Sequence, residues 1–196
     1  MARMSEEHTA TSGDSRRDGL VAIRPLQITD ASVMAAMNLR NRADIERVSP
    51  PQPLDTCTEL GQVARITSIL RECAQGGRAH WTILVDGVLA GDISLHAIHR
   101  GPVQTANVGY MVDAAFRGRG VATAAVRLVV EHAFDQLQLH RLDAGVMPSN
   151  LGSQRVLEKA GFTRVGLMRR YLFIGGSWED HVLYELVGPD RVPPAG

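Results

Sequence analysis

The feature that most constrains the fold is a glycine-rich turn, FRGRGVATAA at residues 116–125, which stands between two segments of different pattern. Residues 104–112, QTANVGYMV, precede the turn and have the composition of a β-strand. Residues 121–137 follow it, and their apolar side chains at positions 121, 124, 125, 128, 129, 133 and 137 have helical spacing. The order therefore predicts a strand, a tight turn and a helix in direct succession.

The turn has the physical features of an anion-binding site. The first amides of a helix have no intrahelical acceptor, and the helix dipole places about half a positive charge there. Gly118 and Gly120 lack side chains, so a phosphate can approach these amides closely. Arg117 and Arg119 can add charge-assisted hydrogen bonds, and Thr123 adds a hydroxyl donor. The run matches neither a P-loop nor a dinucleotide fingerprint, and an ordinary loop with solvated arginines is the alternative.

Helices and strands follow one another along the rest of the chain. Helices are predicted at 31–48, about 56–75 and 149–161. Further strands are predicted at about 20–26, in two runs within 79–98, and at 140–147, 162–174 and 177–186. The dipeptide Asp86-Gly87 is the strongest short signal for a hairpin. This order predicts a mixed α/β sheet with a central crossover rather than a doubly wound sheet.

The length of 196 residues is suited to one domain with a full core. Residues 1–19 are polar and unpatterned, which predicts a mobile N-terminal tail. Residues 188–196 are rich in proline and glycine, which predicts a loose C-terminal tail. The domain itself is expected at residues 20–187.

Composition argues against several classes of partner. Lys plus Arg number 21, as do Asp plus Glu, so no bulk positive field exists for nucleic acid or an anionic membrane. No apolar run approaches the ~18 residues of a spanning helix, and the N-terminal residues lack a signal-peptide core. Cys57 and Cys73 are the only cysteines, without a CxxC or Cys/His cluster. They indicate a reducing cytoplasm and no metal site.

Three segments resemble the GNAT N-acetyltransferase superfamily. Residues 117–122, RGRGVA, resemble its [QR]-x-x-G-x-[GA] motif at a strand-to-helix junction. Residues 147–162, MPSNLGSQRVLEKAGF, look like its later N-x-x-S helix and the strand entry that follows. Residues 171–186, YLFIGGSWEDHVLYEL, look like the closing hairpin of the RimJ/RimL branch, which acetylates the N-termini of ribosomal proteins. The resemblance covers roughly residues 20–187.

This resemblance implies the fold and the cosubstrate. The fold is a mixed, mostly antiparallel sheet of about seven strands with about four helices, in which a splayed strand pair holds the cofactor. The cosubstrate is acetyl-CoA, with its pyrophosphate at the turn and its pantetheine arm on free backbone groups of the preceding strand. The cofactor-binding residues that it implies are Met111, Val112, Asp113, Arg117, Gly118, Arg119, Gly120, Val121, Ala122, Thr123 and Asn150.

The resemblance also implies roles in catalysis. Asn150 and Ser153 lie three residues apart and share a helix face, with Ser153 beside the sulfur as the general acid and Asn150 beside the pantetheine. Many relatives carry a glutamate base where this chain has Asn107, which cannot accept a proton at neutral pH. The base is therefore left open among five residues or a water chain. These residues are Asp92, His96, Glu131, Asp180 and His181.

The sequence thus predicts an acetyl-CoA-dependent N-acetyltransferase that transfers the acetyl group directly to a primary amine. A protein N-terminal α-amine is the first choice of acceptor, as in the RimJ/RimL branch. A small amine such as an antibiotic or polyamine is the alternative, and a catalytically weak CoA-binding module is a third. The protein is expected to be cytoplasmic and a monomer or homodimer.

Overall fold

The computed structural model describes residues 16–18 and 20–190. They form one eight-stranded sheet in the order β1-β2-β3-β4-β5-β6-β8-β7. The strands are β1 (Arg16–Asp18), β2 (Val21–Pro25), β3 (Arg78–Val85), β4 (Val88–His99), β5 (Thr105–Val112), β6 (Arg141–Val146), β7 (Thr163–Ile174) and β8 (Ser177–Val187). The α-helices are α1 (Ala31–Val48), α2 (Glu59–Ala74), α3 (Val121–Asp135) and α4 (Leu151–Lys159). Among these strands the neighbours are antiparallel, except that β5 and β6 are parallel.

The predicted fold class is confirmed, with one strand more than expected. Arg16–Asp18 pair with β2, and Asp18 lies opposite Val21, although the sequence assigns these residues to the N-terminal tail. An edge strand forms through main-chain hydrogen bonds, so its presence does not require the apolar alternation that marks a buried strand. The tail predictions for residues 1–15 and 191–196 lie outside the described residues.

The predicted hairpin at Asp86-Gly87 is also confirmed. Asp86 and Gly87 have φ values of 51° and 82°, as the two central residues of a type I′ turn require. They join Val85 and Val88, which are cross-strand partners. This turn fixes the register of β3 against β4, the strand that in turn supports β5.

Helices cover both faces of the sheet. Val129 of α3 and Leu157 of α4 are fully buried in the larger apolar cluster, which also contains Trp81 of β3. Met37 of α1 and Ile66 of α2 belong to a second, separate cluster. Because successive side chains of a strand point to opposite faces, β4 and β5 contribute to both layers, with Leu89 and Met111 packed against the second cluster.

The parallel strands β5 and β6 separate soon after they meet. Their pairing ends at Asn107 and Asp143, although β5 continues to Val112 and β6 to Val146. β5 remains in register with β4 as far as the pair of Gly91 and Val112. The gap therefore opens on the β6 side of β5, as the predicted splayed strand pair requires, and it positions the candidate site.

Candidate active site

The pairing of β5 with β4 decides which backbone groups of β5 face the gap. In an antiparallel ladder, successive residues alternate between bonding the neighbouring strand and facing away from it. The amide of Asp113 donates to the carbonyl of Ala90 at 2.8 Å. By alternation the backbone groups of Tyr110 and Val112 face the gap.

Two of the three backbone predictions for this strand are therefore corrected. The amide of Asp113 is bonded to β4, and alternation directs the backbone of Met111 to β4 as well. A Cβ on Gly91 would lie 2.1 Å from the carbonyl oxygen of Met111, so β4 touches that carbonyl directly. Of the three residues, only Val112 directs its backbone away from β4, and its carbonyl accepts from Arg117, so its amide is the group left to the gap. The sequence predicts correctly which strand separates from its neighbour, but it does not show which residues of that strand bond β4 and which face the gap.

The turn after β5 is built around the buried carboxylate of Asp113. It accepts hydrogen bonds from Arg40 at 2.5 Å, from Asn41 at 3.1 Å and from the amide of Ala115 at 3.2 Å. Burial by itself raises the pKa of a carboxyl group, but these three hydrogen bonds outweigh burial and hold the pKa of Asp113 below its ordinary value. Asp113 therefore anchors the turn to α1.

Arg117 has a structural role that the sequence does not predict. Its Nε donates to the carbonyl of Val112 at 3.0 Å, and its two terminal nitrogens bond Asp44 at 2.5 Å and Asn41 at 3.2 Å. These contacts use three of the five N–H donors of the guanidinium to bind β5 and α1. The guanidinium of Arg119 lies 5.6 Å from the centre of the Phe116 ring.

The amides in the first turn of α3 come before the first hydrogen bond within the helix. That bond runs from the amide of Ala124 to the carbonyl of Gly120 at 3.0 Å, so the amides of residues 121–123 have no intrahelical acceptor. Gly118 and Gly120 have φ values of 74° and 80°. A Cβ added at either residue would meet nothing within 4 Å, so open space lies around both residues, as the predicted anion site requires.

The N-terminal end of α4 brings Asn150 and Ser153 together. Asn150 Oδ1 accepts from the amide of Ser153 at 3.1 Å, which makes Asn150 the N-cap of the helix. The hydroxyl oxygen of Ser153 lies 2.7 Å from the hydroxyl oxygen of Tyr110. Burial raises the pKa of Tyr110 to about 12, although its hydrogen bond with Ser153 acts in the opposite direction.

A cavity of about 440 Å³ lies where the gap, the turn and α4 meet. This volume is within the range of pockets that hold small ligands. The predicted site residues that line it are Met111, Val112, Arg117, Gly118, Gly120, Val121, Ala122, Thr123, Asn150 and Ser153. Asp113 and Arg119, which were also predicted for the cofactor, are not among the lining residues.

Two walls of the cavity were missed in the sequence. Arg155 and Lys159 of α4 line it together with Gly152, and Ile45 and Val48 line it from the end of α1. Residues three and four apart on a helix share a face, so the helical period counted from Gly152 could have identified Arg155 and Lys159. The end of α1 carries no local signal, because only the folded chain brings it to α3.

Among the candidate bases, Asp92 is buried and paired. Its carboxylate lies 3.1 Å from His80 Nε2 and 3.4 Å from a terminal nitrogen of Arg65. Burial raises the pKa of the carboxyl group, but the hydrogen bonds and charges of His80 and Arg65 outweigh burial and lower the pKa of Asp92 to about 2. A carboxylate with this pKa is a weak base, and Asp92 joins α2 to the sheet.

His96 lies beside the position at which relatives carry a glutamate. It is the cross-strand partner of Asn107. A Cβ added to Gly109 would lie 3.2 Å from His96 Cε1, so the imidazole lies over Gly109. Burial lowers the pKa of this imidazole, and the charge of Arg78 adds to the effect, which favours the neutral ring that a base requires.

The remaining candidate bases lie at other places in the fold. His181 is 2% exposed, and its ring stands edge-on to Tyr171 with 5.6 Å between ring centres. Asp180 accepts from the amide of Arg170 at 2.8 Å in the hairpin of β7 and β8. Glu131 is exposed on α3. None of the five candidates is among the described residues that line the cavity.

The splayed parallel pair, the glycine turn and the unpaired helical amides define a class of protein, the GNAT acetyltransferases. Residues 21–163 match the family described as acetyltransferase (GNAT) domain. The chain belongs to this family and is an acyltransferase, which confirms the resemblance found in the sequence.

Three comparisons place the chain within the family. It is 44% identical over 172 residues, 87% of this chain and 95% of the relative, to the probable N-acetyltransferase YjcK of Bacillus subtilis. It is 27% identical over 176 residues, 88% of this chain and 90% of the relative, to the [ribosomal protein uS5]-alanine N-acetyltransferase of Escherichia coli. The structure of Mycobacterium smegmatis RimJ in complex with CoA-disulfide superposes with a TM-score of 0.82 at 30% identity, over 85% of this chain and 81% of that one.

The comparisons support acetyl-CoA as the cosubstrate of an N-acetyltransferase, as the sequence predicts. In the described part of the chain, no group of three or more His, Cys, Asp or Glu residues could hold a metal ion. The helices described there are also too short or too polar to cross a membrane.

Proposed function

We propose that this acetyltransferase acts on the α-amine of a protein N-terminus. The observation that carries the proposal is the likeness to RimJ of Mycobacterium smegmatis, at 30% identity and a TM-score of 0.82. The Escherichia coli enzyme that acetylates an alanine of ribosomal protein uS5 matches over 88% of this chain. The closing hairpin of β7 and β8 belongs to the same resemblance.

Acetyl-CoA is held with its pyrophosphate at the start of α3. The unpaired amides of residues 121–123, the positive end of the helix dipole and the open space at Gly118 and Gly120 support this assignment. Arg155 and Lys159 on the opposite wall add positive charge. The pantetheine arm follows the gap between β5 and β6, which the backbone groups of Tyr110 and the amide of Val112 face.

The acetyl group passes directly from sulfur to the amine. Ser153 lines the cavity, and its hydroxyl gives its proton to the departing sulfur. Asn150 holds the first turn of α4 in place through its cap, so it positions Ser153 as well as the cofactor. Among the candidate bases, we favour His96, because it lies across from Asn107 and burial lowers the pKa of its ring.

Two buried carboxylates of the fold are already paired with arginines and so are not available to a polyamine. The buried carboxylate of Asp30 is paired with Arg24 at 2.5 Å, and that of Asp92 with Arg65 at 3.4 Å. A polyamine site needs carboxylates that are not already neutralised. These pairs leave the two carboxylates committed to the fold.

The proposal is tested by following free thiol release from acetyl-CoA with matched acceptors. One peptide begins with alanine and contains an internal lysine, its control is the same peptide with a blocked N-terminus, and the third acceptor is spermidine. We expect release with the first peptide alone, and mass spectrometry should place the acetyl group on its α-amine. Release with the blocked peptide or with spermidine alone would overturn the assignment of the acceptor.

A further inference from the structure

Two hydroxyl groups from distant parts of the chain meet at the wall of the cavity. Tyr110 of β5 and Ser153 of α4 are 43 residues apart, and their hydroxyl oxygens lie 2.7 Å from each other. The Tyr110 hydroxyl also lies 3.3 Å from the main-chain carbonyl of Ser153. Both residues line the cavity, so this contact belongs to the site rather than to the core.

Tyr110 reaches α4 because of the gap between the strands. It lies beyond Asn107, the last residue of β5 that pairs with β6, so no strand stands beside it on that side. Its ring packs against the larger apolar cluster, which fixes the direction of the hydroxyl. The tyrosine is therefore held in one place, with its polar end at the first turn of α4.

Either hydroxyl could donate in this pair, and the direction decides where the serine proton points. A serine hydroxyl has one proton and can accept two hydrogen bonds. Burial raises the pKa of Tyr110 to about 12, so the phenol keeps its proton at physiological pH and can donate to Ser153. When it donates, the proton of Ser153 is left to donate elsewhere, and linked hydrogen bonds of this kind strengthen one another.

We propose that Tyr110 is a positioning residue for the proton donor, because its hydroxyl donates to Ser153 and directs the serine proton into the cavity. This inference rests on the proposed function and adds a residue to its machinery. As the carbon–sulfur bond breaks, sulfur keeps the electron pair and takes the Ser153 proton, while Ser153 takes the proton of Tyr110. The amine gives its surplus proton to His96, the base proposed above, which passes it to solvent, and Tyr110 regains a proton from solvent as CoA leaves.

The test is a double-mutant cycle of Tyr110→Phe and Ser153→Ala. Tyr110→Phe should lower kcat about tenfold, a part of the 10²–10⁴ that a positioned acid contributes, with an unchanged KM for acetyl-CoA. In the Ser153→Ala background, Tyr110→Phe should change kcat by less than about twofold, because the tyrosine acts only through the serine. An unchanged kcat in Tyr110→Phe, or effects that multiply in the double variant, would overturn the proposal.

Tyr184 provides a matched control. It is a fully buried tyrosine whose hydroxyl donates to Glu158 of α4 at 3.0 Å, but it does not line the cavity. Tyr184→Phe removes the same hydroxyl from the other side of α4. Its kcat should stay within about twofold of the parent, since the contact lies outside the site. An equal loss of kcat in Tyr110→Phe and Tyr184→Phe would mean that the two hydroxyls only hold α4 in place.

A second readout needs no acceptor and so separates this inference from the proposed function. If Ser153 donates to the sulfur of bound CoA, it stabilises the thiolate and lowers the pKa of the thiol. CoA affinity should then increase as the pH rises, and the increase should begin at a lower pH in the parent than in Tyr110→Phe. Calorimetric titrations at a series of pH values would show this. Identical pH profiles would overturn the role of Tyr110, whether or not any amine is acetylated.

Discussion

The Nε of Arg117 donates a hydrogen bond to the carbonyl of Val112 at 3.0 Å, so the turn is tied back to the last residue of β5. The same guanidinium bonds Asp44 and Asn41 of α1. The turn, the end of β5 and the end of α1 are therefore one unit. A ligand at the start of α3 meets a backbone that these contacts have already fixed, which reduces the entropy lost on binding.

Replacing Arg117 with glutamine should weaken CoA binding without removing it. The loss of hydrogen bonds worth about 1 kcal/mol in net terms corresponds to about fivefold in Kd. Isothermal titration with CoA measures this change, and Arg169→Gln on β7 is the control for loss of a positive charge outside the cavity. An equal, small loss in both variants would indicate long-range charge rather than order in the turn.

The phosphate assignment predicts a loss of CoA affinity in Gly120→Val. A branched side chain at the start of α3 occupies the space through which a phosphate reaches the amides, and we expect at least tenfold weaker binding, about 1.4 kcal/mol. The control is Gly176→Val in the hairpin of β7 and β8. Gly176 has a φ of 88° against 80° for Gly120, and a Cβ meets nothing within 4 Å at either residue.

Both glycine variants should lose stability by about 1–2 kcal/mol, because an L side chain is strained in the left-handed region. Only Gly120→Val should lose affinity for CoA in calorimetry. If a folded Gly120→Val binds CoA as the parent does, the pyrophosphate does not lie at this turn.

Asn150→Ala should reduce stability, CoA affinity and kcat together. Loss of the N-cap costs about 1 kcal/mol of folding stability, and it loosens the turn of α4 that carries Ser153. Thr58→Ala is the matched control, because Thr58 caps α2 by accepting from the amide of Gly61 at 3.1 Å and lies outside the cavity. Urea denaturation should show a similar loss of folding stability in both variants. Calorimetry should show weaker CoA binding, and kinetics a lower kcat, in Asn150→Ala alone.

Asp92 should make the fold sensitive to acid. Its pKa of about 2 in the folded protein is below the ordinary value of about 3.9. Asp92 therefore contributes to folding stability at pH values above that ordinary value. That contribution is lost as the pH falls from about 4 toward 2. In Asp92→Asn the slope of the free energy of unfolding against pH in this range should be smaller, by up to about 1.4 kcal/mol per pH unit.

Urea denaturation at a series of pH values measures this slope. Asp86→Asn in the hairpin turn between β3 and β4 is the control for loss of a carboxylate elsewhere, and it should keep the slope of the parent. A parental slope in Asp92→Asn would show that the pairs with His80 and Arg65 do not set the acid response.

Local patterns in the sequence were sufficient to place the backbone of the site. The period of residues 121–137 predicts α3, and Asp86-Gly87 predicts the hairpin, because both depend on interactions between residues close in the chain. The two glycines predict a turn before α3 for the same reason, whereas its left-handed φ values are seen only in the structure. The order of strands and helices then gave the fold class and the crossover that leaves β5 and β6 parallel.

Side-chain roles at the site were decided by the tertiary structure. Arg117 was expected to bind an anion, but Asp44, 73 residues earlier in the chain, pairs with it. Ser153 meets Tyr110 across 43 residues. A hydroxyl or a guanidinium can serve many partners, and its sequence neighbours do not restrict the choice, whereas a backbone conformation is restricted by sterics within a few residues. The sequence by itself therefore determined the position of the glycine turn and of the helix start that are proposed to bind the anion, and only the packing of α1, β5 and α4 decided which side chains surround them.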